Sequence, residues 1–254
     1  MARIITVLNA KGGTGKTTTA VNLSSYLVAL GKYVLLVDLD PQANSTSGLG
    51  IRMDEEHAHL YHAMIDSEPV GSMIRKTSMF GFDALPSGAS LAGAGIELVN
   101  VDNREFRLKT VLNSIRTNYD YILIDSPPSL GLLTINGLAA AEEIIIPVQC
   151  EYYALEGLGN LLKTIDLVRE SLNPQLKIAG VLLTMYDKRN RLARAVVREV
   201  QKNFPGRVFE AIIPRSISLA EAPSFGKTIL QFDPDSKAGR AYRQLAEEVS
   251  KLVD

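Results

Sequence analysis

Short, almost purely apolar runs punctuate the chain, and amphipathic stretches fill the intervals. Ile4–Leu8, Tyr33–Val37, Tyr121–Ile124, Ile144–Val148, Ile178–Thr184 and Val208–Ile213 are each a few residues long and end at turn-forming residues. Runs of this kind read as strands buried on both faces, as in a parallel sheet. From Thr18 to Leu30 the apolar residues Ala20, Leu23, Leu27 and Leu30 recur at helical spacing, and Gly31 stands at the expected C-cap. Further helices are predicted over Leu91–Val99, Arg104–Asn118, Leu132–Ala141, Glu151 to about Ser171, Arg191–Phe204 and Ala238–Leu252. Strands and helices alternate without linker, repeat or low-complexity segment. The expectation is one doubly wound, mainly parallel α/β domain over residues 1–254. Residues 51–88 show the weakest pattern, and Ala43–Gly50 reads as a loop.

Composition narrows the picture. The 254 residues are 46% hydrophobic, enough for one large domain with a substantial core. Net charge is −1, so any nucleic-acid binding must come from a local patch. The single cysteine, Cys150, excludes an internal disulfide and a self-contained cysteine metal site, and its strand-end position reads as a small core residue. His57, His59 and His62 are all the histidines, and they read as part of a solvated helix. The chain enters a strand at once, and no apolar run approaches the ~18 residues of a membrane span. A cytoplasmic protein is expected.

The chemistry is concentrated between the first strand and the first helix. Ala10-Lys11-Gly12-Gly13-Thr14-Gly15-Lys16-Thr17-Thr18 places glycines where a backbone must curl its N–H groups toward a phosphate at a helix N-terminus. Lys16 supplies charge for β/γ-phosphate oxygens, and the Thr17 hydroxyl can ligate Mg²⁺. Alanine at position 10 and a second lysine, Lys11, make this the deviant form of the phosphate loop. Lys11 lies ahead of the cradle, and its expected use is a partner's nucleotide. Asp38 and Asp40 end the second strand, where they face a nucleotide-linked magnesium, an attacking water or, for a turn aspartate, only the backbone. Asp125 ends the third run in the Walker B arrangement, which holds Mg²⁺ through water. Pro127 and Pro128 stop that strand and leave a segment suited to responding to the γ-phosphate.

These motifs, with Pro147-Val148-Gln149-Cys150-Glu151-Tyr152-Tyr153-Ala154-Leu155-Glu156-Gly157, Ile213-Pro214-Arg215 and Glu221-Ala222-Pro223-Ser224, resemble the ParA/Soj partition ATPases over essentially the whole chain. The resemblance implies a P-loop NTPase fold of the deviant Walker A type and an ATP-dependent sandwich dimer. The nucleotide would be held by Lys11, Gly12, Gly13, Thr14, Gly15, Lys16, Thr17, Thr18, Pro214 and Ser216. Thr17 and Asp125 would hold Mg²⁺, Asp40 would orient the attacking water, and Lys11 would act across the dimer. The resemblance also implies sequence-independent binding to double-stranded DNA, nucleoid association, and hydrolysis triggered by a ParB-like centromere-binding partner. Ala10, Ser216 and Ser218 stand where the family often has Gln, Asn and Arg, the last a basic residue linked to DNA binding.

A basic stripe supports that reading independently. Lys188, Arg189, Arg191, Arg194, Arg198 and Lys202 face only one acid, Glu199. At helical spacing Arg191, Arg194, Arg198 and Lys202 share an arc, with Leu192, Val196, Val197 and Val200 opposite. No aromatic residue interrupts it, which favours phosphate contacts over base stacking. The alternative is a MinD-like positioning ATPase, which needs a C-terminal amphipathic membrane helix. The tail Leu245–Asp254 is acidic on its polar face and poor in Lys and Arg, wrong for anionic lipid. An electron carrier of the nitrogenase-reductase type needs two cluster cysteines per subunit.

Overall fold

The first apolar run forms β1 (Arg3–Val7), and its residues from Ile4 onward are all buried. Ile4 packs into one core with Leu35, Ile122 and Ile144, while Ile5 and Val7 pack into a second with Leu36, Leu123 and Ile145. A strand that sends apolar side chains both ways needs cover on both faces, hence the missing polar alternation. The protein is seen in a computed structural model that describes residues 1–54, 57–151 and 154–252, the side chains of 154–156 excepted.

After β1 come α1 (Lys16–Ala29), β2 (Val34–Asp38), α2 (Asn44–Gly48), α3 (Leu60–Met64), β3 (Arg75–Lys76) and β4 (Phe82–Leu85). Then follow α4 (Leu91–Glu97), α5 (Arg107–Asn113), β5 (Tyr121–Asp125), α6 (Leu132–Ala140), β6 (Glu143–Gln149), α7 (Ala154–Ser171) and β7 (Lys177–Tyr186). The last elements are α8 (Arg191–Asn203), β8 (Val208–Pro214), α9 (Ile217–Glu221), α10 (Ile229–Phe232) and α11 (Lys237–Lys251). Among the described residues, eight strands form one sheet in the order β3-β4-β2-β5-β1-β6-β7-β8. Every pairing is parallel except the short β3–β4 ladder at one edge. From β1 the chain moves to β2 on one side, and from β5 it crosses to β6 on the other. The connections diverge there, opening a crevice at the carboxyl ends of the central strands.

One face is covered by side chains such as Leu60, Leu108, Leu138, Leu161 and Val196, the other by Leu23, Leu27, Ile229, Tyr242 and Leu245. Burying each such leucine contributes roughly 1.5–3 kcal/mol. α11 is fastened as well as packed. Glu248 accepts the Glu210 and Ala211 N–H groups of edge strand β8 at 2.9 and 2.8 Å, and Arg3 donates to the Val249 carbonyl at 2.8 Å. Thr19 Oγ1 and Tyr242 Oη lie 3.3 Å apart, joining α11 to α1.

Several expectations need correction. The weakly patterned 51–88 region supplies α3, β3 and β4. β4 holds Asp83 in a buried run, where Lys76 Nζ and Tyr119 Oη satisfy it at 2.7 and 2.9 Å. The loop after β2 contains α2. The helix expected over 104–118 is only α5 between two 3₁₀ turns; where α5 ends, the Ser114 hydroxyl donates to the Val111 carbonyl in competition with the helix ladder. The start of the helix expected from Glu151 includes Tyr152 and Tyr153, which lie outside the described residues, as do Val253 and Asp254 of the tail.

The histidines are not a solvated helix face. His57 is exposed beside Asp54, but His59 is buried at the N-cap of α3. His59 Nδ1 accepts the Tyr61 N–H at 3.4 Å, and His62 Nδ1 accepts the His59 N–H at 3.1 Å. The two rings do the work that Ser or Asp usually does at a helix start. A Cβ at Gly88 would stand 2.5 Å from the His59 ring, so a larger residue there would have to displace that ring. Cys150 is buried, and burial pushes its thiol up to about 11.

Candidate nucleotide site

Between β1 and α1 the backbone enters the left-handed region at Gly13 (φ +72°) and Gly15 (φ +91°), conformations that L side chains rarely adopt. No side chain caps α1, whose first N–H groups are left to water or a ligand. Neighbouring strands fix the loop. Asn9 Nδ2 donates to the Pro147 carbonyl at 2.7 Å, Gln149 Nε2 to the Gly13 carbonyl at 2.7 Å, and Thr184 Oγ1 to the Thr14 carbonyl at 2.9 Å. Gln149 and Thr184 engage loop carbonyls, and Asn9 Oδ1 accepts the Lys11 N–H at 2.9 Å at the mouth of the loop, leaving the N–H groups further in for an anion. Gly12 has open space around it, and Thr17 and Thr18 are half-buried.

The two loop lysines differ sharply. Lys16 is buried, and its Nζ donates to the Lys11 carbonyl at 3.2 Å. Burial lowers its pKa, against the pull of the Asp125 and Asp40 carboxylates. The Lys11 side chain is 45% exposed, and its Nζ lies 3.8 Å from Glu151 Oε2. Arg215 approaches the other oxygen of Glu151 at 3.5 Å.

Across the crevice Asp38 of β2 stands beside Asp125 of β5 in register, and both are buried. Burial raises both pKa values; the Asp125 charge adds to the rise at Asp38, and the Ser45 bond and the nearby Thr17 hydroxyl oppose it at Asp125. Asp38 Oδ2 accepts the Thr46 N–H at 2.8 Å and the Thr46 hydroxyl at 2.7 Å, so Asp38 anchors α2. Asp40 is buried, and its Oδ1 accepts the Gln42 N–H at 3.0 Å. The Ser45 hydroxyl donates to Asp125 Oδ2. Asp125 Oδ1 is buried with no hydrogen-bond partner among the described residues. A buried carboxylate oxygen without a donor is costly. Beside the Thr17 hydroxyl, it fits a magnesium-bound water.

On the outer side of α1, a cavity of about 220 Å³ is lined by residues including Thr18, Met185, Pro214, Ser216 and Tyr242. Pro214 and Ser216 thus meet the phosphate loop at one opening. The other predicted residues lie elsewhere. Lys188, Arg189, Arg191, Arg194, Arg198 and Lys202 are exposed on and just before α8. Two details of that stripe need correction. Leu192 is 43% exposed, and Ala193 takes the buried position with Val196 and Val200, because the core-facing arc begins one residue later. Arg189 bonds both oxygens of Asp187, at 3.1 and 2.9 Å, so its charge is already partly answered. Ser218, lacking the family's frequent charge, donates to Asp233 at 2.8 Å.

Sequence reasoning missed Ser45, Thr46, Gln149, Thr184 and Glu151 as parts of the site. The polar run Asn44-Ser45-Thr46-Ser47 directly after two strand-end aspartates was the available signal for the first two.

A strand, a glycine loop and a helix, with a buried lysine in the cradle and acidic ends on adjacent parallel strands, define a P-loop nucleotide-binding protein. Residues 2–178 match the family model described as an AAA domain. The chain is 52% identical to the sporulation initiation inhibitor protein Soj of Bacillus subtilis, covering 98% of this chain and 99% of that protein. It is 50% identical to the chromosome partitioning protein ParA of Myxococcus xanthus, covering 99% and 89%. The chain belongs to the ParA/Soj family of chromosome-partitioning ATPases. A solved structure named cobyrinic acid a,c-diamide synthase, from Mycobacterium smegmatis, with bound ADP and magnesium, superposes with TM-score 0.88 at 36% identity over 99% of this chain and 95% of that one. The septum site-determining protein MinD of Pyrococcus horikoshii, complexed with Mg-ADP, is further off, with TM-score 0.79 at 29% identity over 99% and 97%.

Proposed function

We propose that this chain binds ATP with magnesium, pairs with a second copy across the nucleotide, and in that state binds double-stranded DNA without sequence preference. Hydrolysis, stimulated by a ParB-like partner, releases the DNA and so moves chromosome or plasmid DNA in the cytoplasm. The observation that carries the reading is the lone Asp125 Oδ1 beside Thr17 and Lys16, a cation position at the foot of a phosphate cradle.

In this reading, Gly12 to Thr18 hold the phosphates and Lys16 faces the β- and γ-oxygens. Pro214 and Ser216 border the base. Thr17 and Asp125 hold the magnesium, which when bound neutralises charge on the phosphates. Asp40 holds the attacking water, and Lys11 leaves Glu151 to reach the other copy's nucleotide. Lys188, Arg189, Arg191, Arg194, Arg198 and Lys202 supply the DNA surface. The MinD-like alternative is not favoured, because the apolar face of α11 is already buried against α1 and β8. Among the described residues no helix is long and apolar enough to cross a membrane.

The test is duplex binding by the full chain with ATP, with ADP and without nucleotide, beside steady-state hydrolysis. ATP alone should support tight binding. Asp40→Ala should keep it while hydrolysis falls by on the order of a hundredfold or more. Equal DNA binding in all three nucleotide states would sink the proposal, and parental hydrolysis in Asp40→Ala would remove Asp40 from its role.

A further inference from the structure

The loop that carries Asp40 is fastened to the magnesium carboxylate by a residue with no role in the function above. Ser45 is buried in the first turn of α2 and donates to Asp125 Oδ2. Thr46, next to it, holds Asp38 through both its N–H and its hydroxyl. Since Asp38 and Asp125 are neighbours across β2 and β5, α2 is pinned to two adjacent strand ends. On its other side α2 starts from Ala43, whose φ of +51° is left-handed without being glycine, and whose N–H donates to the Asp40 carbonyl at 2.9 Å. Such a conformation persists only when its surroundings hold it. The 40–46 segment is therefore a short, strained connection with two anchors, Thr46 on Asp38 and Ser45 on Asp125, and only the second reaches the magnesium carboxylate.

A carboxylate with one oxygen engaged cannot rotate freely. With Oδ2 committed to Ser45, Oδ1 is left as the oxygen available to a cation, and it is the one without a partner. We propose that Ser45 is a positioning residue: its hydroxyl orients Asp125 so that Oδ1 meets the magnesium, and the same bond ties the Asp40 loop to the occupancy of that magnesium. The inference rests on the reading of Thr17 and Asp125 as magnesium residues. Partners that orient a metal's ligands typically change metal affinity by 10–100-fold when removed.

The experiment measures binding of a fluorescent ADP analogue to the full chain as Mg²⁺ is titrated, with amide hydrogen exchange over residues 41–47 as a second readout. In the parent, Mg²⁺ should tighten binding, and Mg²⁺ with ADP should slow exchange in the loop. Ser45→Ala should need about tenfold more Mg²⁺ for half-effect, leave Mg²⁺-free affinity unchanged and lose the slowing. Ser45→Thr, which keeps the hydroxyl, should restore both. Ser45→Cys keeps the volume without the strong donor and should behave like Ser45→Ala, which covers a poorly folded alanine variant. A Mg²⁺ requirement within twofold of the parent in both Ser45→Ala and Ser45→Cys, or a loop still slowed in them, overturns the inference. A parent that shows no Mg²⁺ effect overturns the magnesium assignment beneath it instead.

Discussion

Lys11 and Lys16 carry the same charge five positions apart and live in different media. Lys16 has given up most of its water and sits where two carboxylates compensate it, so its removal deletes the main counter-charge of a nearly dry site. Lys16→Ala should abolish nucleotide binding, read by the fluorescent analogue. Lys11 is half in solvent, and among the described residues its ammonium meets Glu151, a contact worth little at such exposure. Lys11→Ala should therefore leave nucleotide binding by the single chain within about twofold while preventing the ATP-dependent dimer, followed by light scattering; each 1.4 kcal/mol would be tenfold. A dimer that persists removes Lys11 from the interface. The residues legible in the sequence were those whose role follows from neighbours along the chain: a lysine after a glycine loop, an aspartate after an apolar run. Ser45 and Gln149 act on groups 80 and 136 residues away; a polar run marks the first only faintly, and nothing local marks the second.

At the scale of elements, α8 is the piece with the clearest division of labour. Its core side is Ala193, Val196 and Val200, and its outer side is a row of arginine and lysine. Arg191 and Arg194 are better probes than Arg189, which already answers Asp187. Arg191→Ala with Arg194→Ala should weaken ATP-dependent binding to any duplex and flatten the salt dependence by roughly 0.9 in log–log slope for each phosphate left unneutralised. Anisotropy with two unrelated duplexes between about 50 and 200 mM salt measures this. Binding as strong as the parent's would move attention to Lys227, Lys237 and Arg240. The central strands were legible because burial on both faces leaves an uninterrupted apolar run. β4 was not, because Asp83 interrupts the run and is tolerated only through Lys76 and Tyr119. α3 was hidden because histidines do its capping, and α2 because its serines and threonines look like loop until two aspartates hold them.

For the whole molecule, pH should act from both sides. Asp38 and Asp125 hold protons more tightly folded than unfolded, since burial raises them from the ordinary 3.8. Their contribution is greatest below that value and is lost as pH rises through the raised ones, about 7 for Asp38. His59 is lowered from the ordinary 6.5 by burial and then by His62, so stability is lost as pH falls below 6.5. The nucleotide-free chain should melt highest in weakly acidic solution. Mg²⁺ with ADP should flatten the alkaline limb by giving Asp125 a counter-charge, and His59→Asn, a cap that does not titrate, should flatten the acid limb. Melting curves across pH that stay flat on both sides in the parent would refute the assignment.

The fastening of α11 to α1 also has a consequence in time. Thr19 and Tyr242 meet across 223 residues, and Leu23 and Leu27 share their core with Leu245 and Val249. On the ribosome, the helix behind the phosphate loop is made early and its cover is made late. Until then α1 lies on the sheet with the face that meets α11 uncovered. A chain cut short of Lys237 is therefore expected to bare the apolar side chains of α1 and β8 that α11 covers, a surface suited to a chaperone or a protease.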